Sequence, residues 1–169
     1  MALDAETLTD CYRKLERPLF NVVYRLLWDR EETQDVIHEA FLKVWRRRAK
    51  VTRDRLEALV YTAALNQARN RLRWNRLRRW VALDGLEGAD GEGSPTPPEN
   101  PERAADASRI RRALAELPKV SQQVLLLSLF AGLDTREVAG LLSISPGTVG
   151  SRKHAAIKRL RERMENGDG

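Results

Sequence analysis

Apolar residues recur along this chain at intervals of three and four, and no alternating run bounded by hairpin turns breaks that rhythm. A period near 3.6 predicts helices, and its persistence predicts an all-α fold. In the first half the spacing predicts a helix from about Asp4 to Trp28, kinked or split at Pro18, whose ring removes a backbone donor. A second helix is expected over about Arg30 to Arg48, with Asp29 as cap and Glu31 and Glu32 in the first turn, where carboxylates suit the helix dipole. Val36, Ile37, Ala40, Phe41, Val44 and Trp45 form its apolar stripe. A third, about Asp54 to Arg79, should turn Leu56, Leu59, Val60, Ala63, Ala64, Ala68 and Leu72 inward and carry Arg69, Arg71, Arg73, Arg76, Arg78 and Arg79 on its outer faces.

The second half is cut into shorter pieces. One helix ends before Pro118, a second runs from near Ser121 to Gly132, and a third spans about Thr135 to Leu142. Asp134 with Glu137 three residues on fits a capping box. Ser145 then supplies an N-cap and Pro146 a first helical residue, so a short turn leads at once into a last helix reaching about Met164. Two helices joined by so tight a turn, the second rich in Ser, Thr, Arg, Lys and His, make a helix-turn-helix pattern. Such a second helix lies in the major groove with its N-terminal residues on base edges. That selects Thr148, Ser151 and Arg152, with Lys153, His154 and Lys158 further along, while Val149, Ala156, Ile157 and Leu160 face inward. Arg152 is suited either to a guanine edge or to a phosphate.

Charge adds what periodicity lacks. The 169 residues carry 30 basic and 24 acidic side chains, and their distribution is uneven. Residues 1–42 hold five basic and nine acidic groups, residues 43–80 thirteen and two, residues 81–108 one and seven, and residues 109–169 eleven and six. Two cationic blocks separated by an acidic one suggest two polyanion-binding surfaces, since clustered Lys and Arg release the counterions condensed on a phosphate backbone. The acidic stretch is also rich in Gly and Pro and almost without large apolar residues after Leu86. It buries too little to offset its ordering entropy. The expected organisation is therefore a helical domain over 1–80, a flexible acidic linker over 81–105, and a helix-turn-helix domain over 106–169, each domain with its own modest core.

The single cysteine, Cys11, has no partner for a disulfide, and no Cys/His cluster has zinc spacing, so no metal or cofactor is expected. The acidic, polar start does not read as a signal peptide, and the apolar stretch Val124 to Ala131 is too short to cross a bilayer. A cytoplasmic protein with no membrane insertion is expected.

Three strings together resemble a known family. DREETQDVIHEAFLKVW, Asp29 to Trp45, resembles the core-polymerase-binding helix of the extracytoplasmic-function sigma factors, within the sigma-70 family of bacterial transcription initiation factors. LVYTAALNQARNRLRW, from Leu59, is similar to that family's promoter-melting helix, with Asn66 at its characteristic Asn. Leu114 to Glu162 resembles its second DNA-binding domain. The resemblance implies a protein that catalyses no reaction, binds core RNA polymerase through the beta-prime and beta subunits, and directs it to promoter DNA.

On that resemblance Gln34, Asp35, Glu39, Leu42 and Trp45 grip the beta-prime coiled coil, with core packing the alternative for Leu42 and Trp45. Lys50, Arg53, Asn66, Arg69 and Arg73 contact the melted −10 element, where an unstacked base is held by stacking and by bonds to its edges. Ser145, Thr148, Ser151, Arg152, His154 and Lys158 contact the −35 duplex. Trp74 and Trp80 are suited equally to stacking on bases and to packing on neighbouring helices. An anti-sigma factor is implied as a further partner. The acidic linker is suited to a basic polymerase channel, with a plain solvated tether as the alternative.

Departures from the family pattern are Leu59 for a common Trp, Glu57 and Leu65 for frequent Arg, Gly150 for a usual Lys and Lys153 for a typical Leu. Two other classes fit less well. A free-standing repressor would need a dimer interface, and no heptad run is present. An enzyme on nucleic acid would need catalytic groups, but His38 and His154 are the only histidines and neither neighbours paired carboxylates.

Overall fold

The computed structural model describes residues 3–84 and 101–166, with side chains described over 3–78 and 105–166. Seven helices run in the order α1 (Ala5–Leu27), α2 (Arg30–Arg46), α3 (Leu56–Asp84), α4 (Pro101–Ala115), α5 (Lys119–Phe130), α6 (Thr135–Leu142) and α7 (Pro146–Glu165). Two 3-10 turns, Arg48–Lys50 and Arg53–Arg55, join α2 to α3. No described residue lies in a strand.

The helix ends follow the chemistry of their caps. Asp4 accepts from the Thr7 amide and Asp29 from the Glu32 amide, each satisfying a donor that the first turn leaves without a partner. Helix α1 ends on Trp28, whose φ of 56° puts a non-glycine residue in the left-handed region. The expected break at Pro18 does not occur, because α1 is one helix of 23 residues. Pro18 forgoes a single backbone bond, while Leu15, Leu19, Val22 and Val23 beside it are buried against α2 and α3. Tertiary packing thus outweighs a local penalty of about 3 kcal/mol.

Two apolar placements differ from the expected stripes. On α3 the buried arc is broader and turned further round, through Tyr61 and Leu65, because α6 packs against this helix. Leu59 falls beyond its edge at 39% exposure. On α7, Val149 and Ala156 are buried and seven residues apart, whereas Ile157, one step round, is 37% exposed. Cys11 is buried in the core, and burial pushes its thiol up to about 11.

The largest departure concerns the ends of the linker and the separateness of the two cores. Helix α3 runs through Val81–Asp84 and α4 begins at Pro101, so both ends of the expected linker are helical. Its remainder, residues 85–100, lies outside the described residues. Helices α1–α3 and α5–α7 do not have separate cores. Leu19, Val22, Val36 and Val60 of the first group form one contiguous apolar cluster with Val124, Leu127, Val138 and Val149 of the second.

Helix α5 makes this joining. Seven consecutive residues, Ser121 to Leu127, are buried, and a helix buried all round needs neighbours on every side. Helices α6 and α7 cover one side and α1 another. Gln122 stays satisfied there by donating Nε2–H to the Leu114 carbonyl at 2.9 Å. A smaller cluster of Leu114, Leu117, Leu125 and Ala156 takes in Trp28 from the end of α1. Arg25 closes the same seam, its guanidinium 4.7 Å from the centre of the Phe130 ring and 5.6 Å from that of Trp28.

All four tryptophans precede residue 81, whereas Leu127, fully buried, belongs to the second half. Leu127→Ala should therefore lower stability by about 2–5 kcal/mol and move the tryptophan-reported urea midpoint down with it. A tryptophan midpoint that stays put would show independent cores.

Candidate nucleic-acid and polymerase interfaces

The helix-turn-helix is built by five hydrogen bonds at its caps and turn. Asp134 Oδ1 accepts from the amides of Arg136 at 2.7 Å and Glu137 at 2.9 Å, while Glu137 Oε2 accepts from the Asp134 amide at 2.8 Å. This is a full capping box on α6. Helix α6 stops at Ser143, whose φ of 55° turns the chain, and the Ile144 amide closes back on the Ala139 carbonyl at 3.0 Å. Ser145 then caps α7 by accepting from the Thr148 amide at 3.1 Å, with Pro146 at the first helical position.

These contacts sort the expected −35 residues. Ser145 and Thr148 share a hydroxyl–hydroxyl bond of 2.8 Å, and Ser151 donates Oγ–H to the Thr148 carbonyl at 3.1 Å, so all three hydroxyls are engaged in shaping the helix start. Arg152, His154 and Lys158 stand exposed on the same helix. Lys153 is half-buried.

The expected −10 residues do not form one cluster. Lys50 and Arg53 are exposed in the 3-10 turns before α3. Arg73 lies 17 residues beyond the start of α3, about 25 Å along the helix at 1.5 Å per residue. Asn66, Arg69 and Arg73 fall on one side of that helix, at spacings of three and four. Asn66 and Arg73 are exposed, whereas Arg69 is half-buried with Nη1 fully enclosed and without a hydrogen-bond partner. That burial lowers the Arg69 pKa, since desolvation disfavours its charged form.

On α2, Gln34 and Asp35 are exposed and Leu42 is 49% exposed. Glu39 is not a free acid, for it accepts from Arg71 Nη2 of α3 at 3.0 Å. Leu42 and Trp45 edge an apolar groove of about 240 Å³ shared with Ala5, Leu8 and Tyr12 of α1. The Trp45 ring is half-buried, with the Arg48 guanidinium 4.7 Å from its centre. Trp74 is 61% exposed, and the side chain of Trp80 lies outside the described residues.

Sequence periodicity did not single out Arg25 and Arg111, which meet Arg69, Arg73 and Arg76 around one cavity. Arg76 sits seven residues after Arg69, so its place beside Arg69 and Arg73 was readable from spacing; Arg25 and Arg111 arrive from other helices and leave no local signal. Among the described residues no helix is long and apolar enough to cross a membrane, and no group of three or more metal-ligating side chains occurs.

Residues 11–78 match the sigma-70 region 2 family model and residues 107–160 the sigma-70 region 4 model. The RNA polymerase sigma-H factor of Pseudomonas aeruginosa is 30% identical over 161 residues, covering 90% of this chain and 81% of that protein. The chain belongs to the sigma-70 family. Within it, the chain falls in the extracytoplasmic-function group, as a match to the sigma factor SigL of Mycobacterium tuberculosis supports, at 29% identity over 95% of this chain and 90% of the relative. The sigma factor directs promoter-specific initiation of transcription and is not an enzyme. Its fold is similar to that of CnrH in complex with the cytosolic domain of CnrY, with a TM-score of 0.69 and 16% identity over 96% of this chain and 90% of that one. It is also similar to the sigma factor RpoE of Bartonella quintana in complex with the anti-sigma factor NepR, with a TM-score of 0.60 and 17% identity over 93% of this chain and 98% of that one.

Gly150 sits in the interior of α7 with φ in the ordinary range, and a Cβ added there meets nothing within 4 Å. Gly150→Ala should raise stability by up to about 1 kcal/mol, read as a higher urea midpoint. A lower midpoint would mean that this stretch of helix is restrained in a way its open surroundings do not reveal.

Proposed function

We propose that the sigma factor holds core RNA polymerase through α2 and reads a promoter at two places, the −35 duplex through α7 and the melted −10 element through α3 and the turns before it. The observation that carries this reading is a separation of chemistries. An apolar groove edged by Leu42 and Trp45, with Asp35 and Gln34 exposed on the same helix, suits a protein partner with a basic rim. The exposed cations Arg152 and Lys158, with the His154 ring beside them on a capped helix, suit a major groove.

In the −35 contact, Arg152 holds a guanine or a phosphate and Lys158 a phosphate. Ser145, Thr148 and Ser151 act chiefly by fixing the start of α7, while their oxygens keep lone pairs for DNA donors. In the −10 contact, Asn66 offers donors and acceptors to an exposed base edge, and Lys50, Arg53, Arg69 and Arg73 neutralise the strand. Glu39 contributes indirectly: its bond to Arg71 ties α2 to α3. The solved neighbours are complexes, one with an anti-sigma factor, which supports an anti-sigma factor as a second partner of this chain. Action on polymerase and promoter places it in the cytoplasm.

The test is transcription in vitro with purified core polymerase on genomic fragments, followed by mapping of start sites. The chain should create new start sites that core alone does not use. Leu42→Asp should abolish them by preventing association with core. Arg152→Ala should reduce initiation by roughly 5- to 100-fold, in keeping with about 1–3 kcal/mol for a bidentate base contact, while association with core persists. A chain that binds core yet creates no start site would refute the reading.

A further inference from the structure

A cavity of about 590 Å³ opens between α1, α3, α4 and α5. Five arginines line it, Arg25 from α1, Arg69, Arg73 and Arg76 from α3, and Arg111 from α4, and among the described residues no lining side chain is acidic. None of the five forms an ion pair among the described residues. Like charges gathered in one concavity repel, and Arg69 adds a buried, partnerless Nη1 and a pKa lowered by desolvation. Arg25 is already fixed in place by the Phe130 and Trp28 rings, which hold its guanidinium without neutralising it. The cavity is of the size that takes a small ligand.

We propose that this cavity is a binding site for a small polyphosphate, free or carried by a nucleoside. Guanidinium forks match phosphate oxygens two at a time, and several of them around one site select an anion with several charges over chloride or a single carboxylate. Leu72, Leu77 and Leu114 give the same cavity apolar wall, suited to a base beside the phosphates. Because Arg111 and Leu114 belong to the second half of the chain and the α3 arginines to the first, a ligand in the cavity bridges the two halves and stabilises their packed arrangement. The site shares Arg69 and Arg73 with the proposed −10 contact, but its test needs neither DNA nor polymerase and so can fail independently of that reading.

The experiment is calorimetric titration of the full chain with inorganic triphosphate, and separately with ATP, at constant ionic strength, together with thermal melting. The expected result is one site per chain and a higher melting temperature. Arg76→Gln/Arg111→Gln should weaken binding at least tenfold, and Arg76→Lys/Arg111→Lys, which keeps the charge but loses the fork, severalfold. Arg159→Gln/Arg161→Gln, on the exposed part of α7, should bind as the wild type does. Tighter binding of ATP than of triphosphate identifies the nucleoside-borne form, and equal binding the free one. The proposal is overturned by absence of binding, by equal weakening in the α7 variant, or by binding that emerges only after the acids of residues 84–102 are replaced by Asn and Gln. A single-stranded oligonucleotide that displaces triphosphate and binds the Arg76/Arg111 variant as weakly as triphosphate does would assign the cavity to nucleic acid instead.

Discussion

Burial of the Ser121–Leu127 stretch of α5 on all sides is the constraint on which the rest of this sigma factor depends. A helix with one apolar stripe is satisfied by one layer of neighbours, but Ser121 to Leu127 offer no face to water. Helices α6 and α7 cover only part of that surface, and α1 completes it. The two halves therefore share one contiguous apolar cluster, packed as densely as a single core. Arg25, stacked over Phe130, marks the rim of this contact and lets a charged side chain lie on apolar surface without an acid beside it.

Function is laid over this core as charge. The capping box of α6 and the Ser145 cap of α7 use polar groups to aim a helix, leaving Arg152, His154 and Lys158 clear of the packing. On α3 the arrangement is different, because some of its cations face the second half of the chain. Arg69 and Arg73, suited to a melted strand, also stand in the wall of the interhelical cavity.

Much of the local structure was legible because its causes are local. Asp29, Asp134 with Glu137, and Ser145 with Pro146 each satisfy or replace donors within three residues, and each helix starts where that chemistry puts it. The exposed placements of Arg152, His154 and Lys158 follow from the same turn. Pro18 misled because its penalty is local while the packing that overrides it comes from α2 and α3. Leu59 and Ile157 misled because the edge of a buried arc is set by the neighbour, here α6 for the first. The expectation of two cores failed for the same reason: an acidic Gly/Pro-rich stretch says how a chain is connected and nothing about which surfaces meet. The gathering of Arg25 and Arg111 beside Arg69 needed the tertiary fold. The ion pair of Glu39 with Arg71 spans 32 positions and had no signature in either helix.

Burial of α5 requires the halves to be packed together in the free protein, and small-angle scattering of the purified full chain measures that directly. A packed chain of 169 residues should show a radius of gyration of about 15–18 Å, close to the compact-domain expectation, with a single-lobed distance distribution. A value above about 22 Å with two separated lobes would contradict it, because α5 would then have lost the neighbour that completes its burial.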